Sequence, residues 1–205
     1  MREGLSVSYN TAMDAAILTD PLLAIDEAGE GKFEFAGGRL IPVAPQSHDH
    51  IDQSWFLTTL LKAVCETHGA GYAVGDGFAQ RLDMGTVRVP DVAYFRPESL
   101  ARVHATYSEG GADLVVEIVS LDSQARDRGE KFVEYERAGV EEYWIVDPIR
   151  RTATFYRLEE GVYRPVSPDS EDRVHSSVLP GFFVRIAWLW SPPTLVDALR
   201  ELGLL

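Results

Sequence analysis

The sequence is poor in cysteine, in basic residues and in long apolar runs. Cys65 is the only cysteine among 205 residues, which excludes an internal disulfide and fits a reducing compartment. No run of about 18 apolar residues occurs, so the sequence predicts no membrane span. Residues 1–20 lack the apolar core of a signal peptide. We therefore expect a cytoplasmic protein that does not associate with membranes.

The charge of the chain is unbalanced toward the acidic side. Asp and Glu number 32 against 19 Lys and Arg, which gives a formal net charge of -13 at pH 7. A general nucleic-acid coat protein would show a basic stripe, so the composition argues against that class. It does not exclude a metal-dependent enzyme that acts on a phosphodiester, because a bound cation can change the sign of the local field.

Several familiar catalytic and ligand-binding motifs are missing. The glycine-rich stretch "GAGYAVGDG" is not followed by Gly-Lys-Ser/Thr, so it is not a P-loop, and no Gly-x-Ser-x-Gly elbow occurs. His68, His104 and His175 show no metal-ligand spacing. His48 and His50 are two residues apart, so one helix face cannot present both to a metal ion.

The apolar pattern predicts a mixed sheet with helices packed on it. The stretch "KFEFAGGRLIPV" predicts a β-hairpin that turns at Gly37-Gly38. A helix is expected to begin after Ser47 and to end at Gly69. An earlier segment, residues 10–28, predicts a helix and connection broken by Pro21.

The second half of the chain predicts the parallel part of the sheet. Strands are expected over residues 113–119 and 142–147, joined by a helix over 124–138 in a right-handed crossover. Residues 72–95 predict a series of strands that includes "TVRVPDVAYF" as one of them. A later hairpin is expected from "TATFYRL" and "VYRPVS".

The stretch "GADLVVEIVS" places Glu117 inside an apolar strand. A carboxylate removed from water costs several kcal/mol unless a partner compensates it. One explanation is a structural glutamate bonded to an arginine or to backbone amides. Asp113 lies about 13 Å away along the same strand, so a second acid must come from another strand. Asp91, which follows Pro90 within apolar residues, is the candidate.

The pairing of Asp91 with Glu117 predicts a divalent metal site. Two buried carboxylates on adjacent strands repel each other unless a proton or a cation lies between them. Hard oxygen ligands that leave room for water and phosphate suit Mg²⁺ or Mn²⁺. We therefore expect the two carboxylates to lie roughly 3–6 Å apart on neighbouring strands.

These residues carry a resemblance to a known group of enzymes. Pro90-Asp91 followed by Glu117 resembles the Pro-Asp…(Asp/Glu)-x-Lys motif, PD-(D/E)xK, of restriction-endonuclease-like nucleases. A wider set of stretches resembles the Uma-two-type family of that superfamily more closely. These stretches are "FEFAGGRL", "PQSHDH", "VPDVAYF", "DLVVEIVS" and "RDRGEKFVEYERAGVEEYWIVDP".

The resemblance spans about residues 30–190 and carries implications for fold and function. It implies one restriction-endonuclease-like domain over residues 1–205, of α/β (α+β) class. A mixed central sheet would be flanked by helices and preceded by an N-terminal β-hairpin. The implied activity is that of an endonuclease that hydrolyses DNA phosphodiester bonds with Mg²⁺ or Mn²⁺.

The resemblance also implies roles for individual residues. Asp91 and Glu117 would bind the ion, with the Ile118 carbonyl as a backbone ligand. Glu34 in the hairpin would add a third carboxylate through a bound water; an exposed strand residue is the alternative. His48 stands where the family has a histidine and would contact a phosphate; a structural histidine at the helix start is the alternative.

The lysine of the motif is displaced in this sequence. Val119 stands where the superfamily pattern has lysine, and the resemblance points instead to Lys131 on the next helix. If that helix begins near Gln124 and runs back over the sheet, Lys131 has retraced about 10 Å and lies level with Glu117. Lys131 would then position the water or offset negative charge. The alternative is a solvated lysine that pairs with Asp127 at i, i+4.

Two other functions remain open from the sequence. The acidic balance favours a nuclease-derived fold that no longer cuts and serves as a binding or assembly module, because phosphate contacts normally come from Lys and Arg. The retained Asp91, Glu117 and Lys131 oppose that alternative. A two-carboxylate glycosidase would need an open cleft with no lysine between its acids.

We expect the chain to form a homodimer. Its apolar C-terminal stretch "IAWLW" offers a subunit contact, a duplex demands more surface than one acidic domain provides, and two-fold symmetry is the commonest arrangement. Light scattering at micromolar concentration measures the mass directly. A clean mass of 22.8 kDa, that of one chain, would contradict the expectation.

Overall fold

The structure is a computed structural model and describes residues 20–120 and 124–205. Within this range Pro21 begins a helix, Pro21–Glu27, and Asp20 caps it by accepting a hydrogen bond from the Leu22 N–H. Proline suits the first helical turn because its missing N–H would have no partner there. Residues 10–19 of the predicted helix and connection lie outside the described residues, so the break at Pro21 stays a prediction.

Helices and strands alternate irregularly along the described part of the chain, and short 3₁₀ helices occur at Pro97–Arg102 and Ile186–Leu189. In chain order the helices and strands are α1 (Pro21–Glu27), β1 (Phe33–Ala36), β2 (Arg39–Pro42), α2 (His48–His68), β3 (Tyr72–Gly75), β4 (Ala79–Asp83), β5 (Thr86–Arg88), β6 (Val92–Phe95), β7 (Tyr107–Glu109), β8 (Leu114–Ile118), α3 (Gln124–Arg128), α4 (Glu130–Arg137), β9 (Glu142–Asp147), β10 (Thr152–Glu159), β11 (Val162–Val166), β12 (Arg173–His175), β13 (Phe183–Arg185) and α5 (Leu195–Glu201).

The predicted hairpin and the predicted long helix are confirmed. β1 and β2 pair antiparallel through Gly37-Gly38, whose φ angles of +57° and +75° are those that a primed turn requires. α2 begins after Ser47, whose side chain accepts a hydrogen bond from the His50 N–H. It ends at Gly69, which adopts the left-handed conformation with φ of +60°.

The strands of the described residues form three sheets. One has the order β2-β1-β5-β4-β7, the second β11-β10-β9-β8-β6-β3, and the third is the pair β12-β13. In the six-stranded sheet β8 and β9 are parallel, whereas β6 runs antiparallel to β8 and β10 antiparallel to β9. The mixed central sheet flanked by helices is therefore confirmed. No described helix combines the length and the apolar character that crossing a bilayer requires.

Two predicted elements are each divided into two. The stretch "TVRVPDVAYF" is not one strand: β5 belongs to the five-stranded sheet and β6 to the six-stranded sheet, and residues 89–91 cross between them. The helix predicted over 124–138 is interrupted at Gly129, whose φ and ψ of -120° and -87° are not helical. The first of these divisions places Asp91 where the two sheets meet.

The core lies on both faces of the six-stranded sheet. Leu114, Val116 and Ile118 of β8 face a cluster that includes residues of α2 and the C-terminal Trp188. Val115 and Val119 face a second cluster that includes Tyr135 of α4. Because side chains alternate along a strand, Glu117 points toward the second face, which α4 covers.

Candidate active site

Asp91 directly precedes β6, and Glu117 lies on the neighbouring strand β8. Val92 of β6 pairs with Val116 of β8, so the same register places Asp91 opposite Glu117. Here the side chain of Asp91 takes the place of a backbone acceptor: its Oδ2 accepts a hydrogen bond of 2.7 Å from the Ile118 N–H of β8. Asp91 and Glu117 are 6% and 3% exposed, and both line an open pocket.

The Ile118 carbonyl faces the same side of the strand as Asp91. The N–H and C=O of one strand residue point in the same direction, and the Ile118 N–H points to Asp91. If the register of β6 and β8 is continued beyond Val92, the residue opposite Ile118 is Pro90. Proline has no N–H to donate. The proline therefore leaves this carbonyl without a partner from β6, at the pocket that Ile118 lines.

Asp91 is contacted from the start of α2 and from the loop before it. Gln46 Nε2 donates a hydrogen bond of 3.2 Å to Asp91 Oδ1, and His50 Nε2 lies 2.8 Å from the same oxygen. The other oxygen, Oδ2, accepts from the Ile118 N–H. A carboxylate offers about four acceptor positions, so these contacts leave room for a bound ion.

Lys131 points inward from α4 and contacts three carboxylates. Its ammonium lies 2.9 Å from Glu117 Oε2, 3.1 Å from Glu34 Oε1 and 3.4 Å from Asp127 Oδ1. The residue is 5% exposed. The i, i+4 pair with Asp127 exists, but inside a buried cluster, so the alternative of a solvated surface lysine is wrong.

Glu34 is part of the same cluster. It is 2% exposed, which makes the alternative of an exposed strand residue wrong. Besides Lys131, it accepts hydrogen bonds from Arg88 Nη1 at 2.9 Å and from the Val89 N–H at 3.2 Å. Two cations and a backbone amide thus fix this carboxylate.

Arg88 connects the hairpin to the helix that carries Lys131. Its side chain is fully buried on β5 and binds Glu34 on β1. The same guanidinium contacts both carboxylate oxygens of Glu134 on α4, at 2.6 and 2.9 Å. Such two-point binding fixes the relative position of its partners. Arg88 therefore holds β1, β5 and α4 together behind the pocket.

The carboxylates of the cluster differ in their pKa because their surroundings differ. Burial raises the pKa of Glu117 to about 8, against the opposing charge of Lys131 and with support from Asp127. Burial also acts to raise the pKa of Glu34, but the charges of Lys131 and Arg88 outweigh it and lower that pKa. Around Glu117 the carboxylates outnumber the cations, so an added cation would be stabilising there.

Lys131 remains a cation in this setting. Burial alone would lower the pKa of its ammonium, but the carboxylates of Glu117, Glu34 and Asp127 outweigh burial and raise it above the ordinary value. Glu117 also accepts a hydrogen bond of 2.8 Å from the Tyr135 hydroxyl. The ring of Tyr135 packs in the core, and the sequence contained no signal for the contact of its hydroxyl with Glu117.

The pocket is partly open to solvent and encloses a cavity of about 40 Å³. Its lining combines the candidate ligands with several basic and amide side chains: Lys32, Glu34, Val43, Ala44, Gln46, His50, Val89, Asp91, Glu117, Ile118, Ser120, Arg126 and Lys131. Lys32, Gln46, His50 and Arg126 were not singled out as site residues by the sequence.

The donor set of the pocket fits a hard divalent cation. Two carboxylates and a backbone carbonyl are oxygen ligands of the type that Mg²⁺ and Mn²⁺ prefer. Within residues 20–120 and 124–205, no group of three or more His, Cys, Asp or Glu side chains is arranged to hold a metal ion. An ion here would therefore depend on Asp91, Glu117, the Ile118 carbonyl and water.

The structure brings His50, and not His48, to the pocket. The His48 side chain is 86% exposed and pairs with Asp52 at 3.2 Å, so it does not line the site. The sequence contained a signal for this choice in the helical period of α2. His50 is in phase with the buried residues Ser54, Leu57, Leu61 and Val64, and His48 is not.

Replacing Arg88 tests how much stability the buried cluster depends on. Arg88→Met should lower the free energy of unfolding by about 3–5 kcal/mol, because Glu134 loses the guanidinium it binds and the buried Glu34 keeps only Lys131. Urea titration measures the loss. Arg164→Met, on the exposed side of β11, is the matched control and should stay within about 0.5 kcal/mol of wild type. An Arg88→Met protein as stable as that control would contradict the role of Arg88.

Glu117 should make the metal-free protein less stable as the pH rises. Its pKa is about 8 in the folded chain against an ordinary 4.5, so the folded state binds more protons between these values. The free energy of unfolding therefore falls from about pH 5 to pH 8. Urea titrations in EDTA should show this fall in wild type and a weaker one in Glu117→Gln. Parallel pH profiles for the two proteins would contradict the prediction.

The chain is similar to known proteins in sequence and in fold. The family Uma2, described as "Putative restriction endonuclease", matches residues 20–187. A crystal structure of a "putative nuclease belonging to DUF820" from Anabaena variabilis ATCC 29413 superposes with a TM-score of 0.69. The two are 18% identical over 82% of this chain and 97% of that chain, a likeness that shows the fold alone. A search of curated proteins finds no match. The chain belongs to the Uma2 family.

Proposed function

We propose that the protein is an endonuclease that hydrolyses DNA phosphodiester bonds with Mg²⁺ or Mn²⁺. The observation that supports this most strongly is the buried pair of Lys131 and Glu117, beside Asp91, in a pocket open to solvent. A buried ion pair is weak as a device for stability, whereas clustered groups with displaced pKa values are typical of catalytic sites. The description of the Uma2 family and that of the Anabaena protein as a nuclease support the same activity.

Asp91, Glu117 and the Ile118 carbonyl would hold the ion. When bound, such an ion lowers the pKa of a coordinated water and stabilises charge on the phosphate oxygens. Glu34 is already fixed by Arg88 and Lys131, so we propose that it contacts the ion only through a water. His50 and Gln46 would keep the Asp91 carboxylate in the orientation that the ion requires.

Lys131 would act on the water and on the phosphate. Its ammonium has three N–H donors and could orient the attacking water while it offsets the charge that develops on the phosphate. In the reaction the oxygen of the water bonds to phosphorus, and the bond from phosphorus to one bridging oxygen breaks. The proton of the water finally resides on solvent or on the released oxygen, which balances the hydrolysis.

A cleavage assay with matched variants tests the proposal. Wild type should nick or linearise plasmid DNA with Mg²⁺ or Mn²⁺ and should be inactive in EDTA. Asp91→Asn, Glu117→Gln and Lys131→Met should each lower the rate by about 100-fold or more. Gel electrophoresis over time measures the rates, and circular dichroism checks that the variants are folded.

The controls separate chemistry from folding. Lys62→Met removes an exposed lysine of α2 and should retain full activity. Asp113→Asn removes a buried acid before β8 that binds Arg96 and Ser99 outside the pocket. It should retain activity wherever it remains folded. Equal cleavage by wild type and all three pocket variants would refute the proposed site.

A module that binds without cutting remains the second candidate. The net charge of -13 favours it, since phosphate contacts usually come from Lys and Arg. If the folded wild-type chain fails to cleave DNA in the presence of Mg²⁺ and in the presence of Mn²⁺, the result decides for the module. We further propose that the protein acts in the cytoplasm as a homodimer.

A further inference from the structure

Two basic side chains line the pocket without contacting the candidate metal ligands. Lys32 lies directly before β1, and Arg126 lies on α3. Lys131, by contrast, is surrounded by Glu117, Glu34 and Asp127. Lys32 and Arg126 are therefore the pocket cations that remain available to a ligand.

Within the described part of the chain, Arg126 has a buried nitrogen without a partner at the pocket. Among the described residues it forms no ion pair, and its Nε is buried without a hydrogen-bond partner. An N–H group that has lost water and gained no acceptor carries an energetic cost. Its side chain is only half-buried and lines the open pocket, so an anion that enters the pocket could supply the missing acceptor.

Lys32 has a partner that an incoming anion could replace. Its ammonium pairs with Asp76, in the turn between β3 and β4, and the Asp76 side chain is 36% exposed. Gly75 and Gly77 flank Asp76. An exposed carboxylate on such a turn can return to water at little cost. The carboxylates around Lys131 are buried and cannot return to water in this way.

We propose that Lys32 and Arg126 together bind the phosphate group of the substrate next to the Asp91–Glu117 pair. The ligand is a phosphodiester of a nucleic-acid backbone, so this inference rests on the proposed function and adds its substrate-binding residues. Guanidinium groups bind phosphate through two parallel N–H donors, and lysine binds it as a point charge. The phosphate takes the place of Asp76 at Lys32 and satisfies the buried Nε of Arg126.

Binding of a labelled DNA duplex, measured by fluorescence anisotropy with Ca²⁺ in place of Mg²⁺, tests the inference without requiring cleavage. Lys32→Gln and Arg126→Gln should each weaken binding by roughly tenfold at low salt. Each should also reduce the slope of log affinity against log salt by about 1, since one phosphate contact is lost. Asp76→Asn should bind a few-fold more tightly, because Lys32 is released.

Two exposed residues away from the pocket serve as matched controls. Lys62→Gln on α2 and Arg137→Gln at the end of α4 remove the same charges and should bind DNA as wild type does. The Mn²⁺ affinity, measured by electron paramagnetic resonance, should not fall in Lys32→Gln and Arg126→Gln, and it should fall in Asp91→Asn. A merely structural role for Lys32 or Arg126 would change neither the salt slope nor the response to Asp76→Asn.

The outcomes for this inference and for the proposed activity are separable. Wild type that binds DNA but does not cut it, with binding weakened in both variants, supports the phosphate site and refutes the nuclease. Wild type that cuts DNA, with both variants binding as tightly as the controls, overturns the phosphate site and leaves the nuclease standing. Wild type that binds no DNA overturns the phosphate site.

Discussion

Glu117 lies in a strand that is covered on both faces, and its carboxylate must be compensated by charge from elsewhere in the chain. β8 cannot supply that charge itself, because its neighbouring residues are apolar. Lys131 therefore comes from α4, which covers this face of the sheet. Arg88 fixes α4 through Glu134 and fixes β1 through Glu34. The position of a helix and of a hairpin thus follows from the need to balance one buried acid.

The passage of the chain between two sheets creates the other half of the site. Residues 89–91 leave one sheet and enter the other, so Asp91 lies directly before β6. There its side chain accepts the hydrogen bond of the Ile118 N–H in place of a backbone carbonyl. Pro90 cannot donate to the Ile118 carbonyl. One local irregularity therefore yields a side-chain carboxylate and a backbone oxygen on the same side of β8, next to Glu117.

The sequence allowed prediction of those features that depend on local pattern. Gly37-Gly38 specified the hairpin turn, the period of apolar residues specified α2, and a lone acid in an apolar run identified Glu117. Assignment of β5 and β6 to different sheets was not predictable, because an apolar pattern records burial but not the identity of the covering partner. The choice between His48 and His50 could have been made from the helical phase of α2, a signal that was present but not used.

The acidic character of the protein and an anionic ligand are compatible because charge acts over short distances. At physiological ionic strength exposed charges are screened beyond about 8 Å, so much of the net charge of -13 does not reach the pocket. Inside it, Lys131 is surrounded by buried carboxylates. Lys32 pairs with the partly exposed Asp76, and the buried Nε of Arg126 has no hydrogen-bond partner among the described residues. A divalent cation at Asp91 and Glu117 would make the local balance positive. The ligand of the pocket is therefore decided by these few side chains and a bound ion, and only weakly by the composition of the chain.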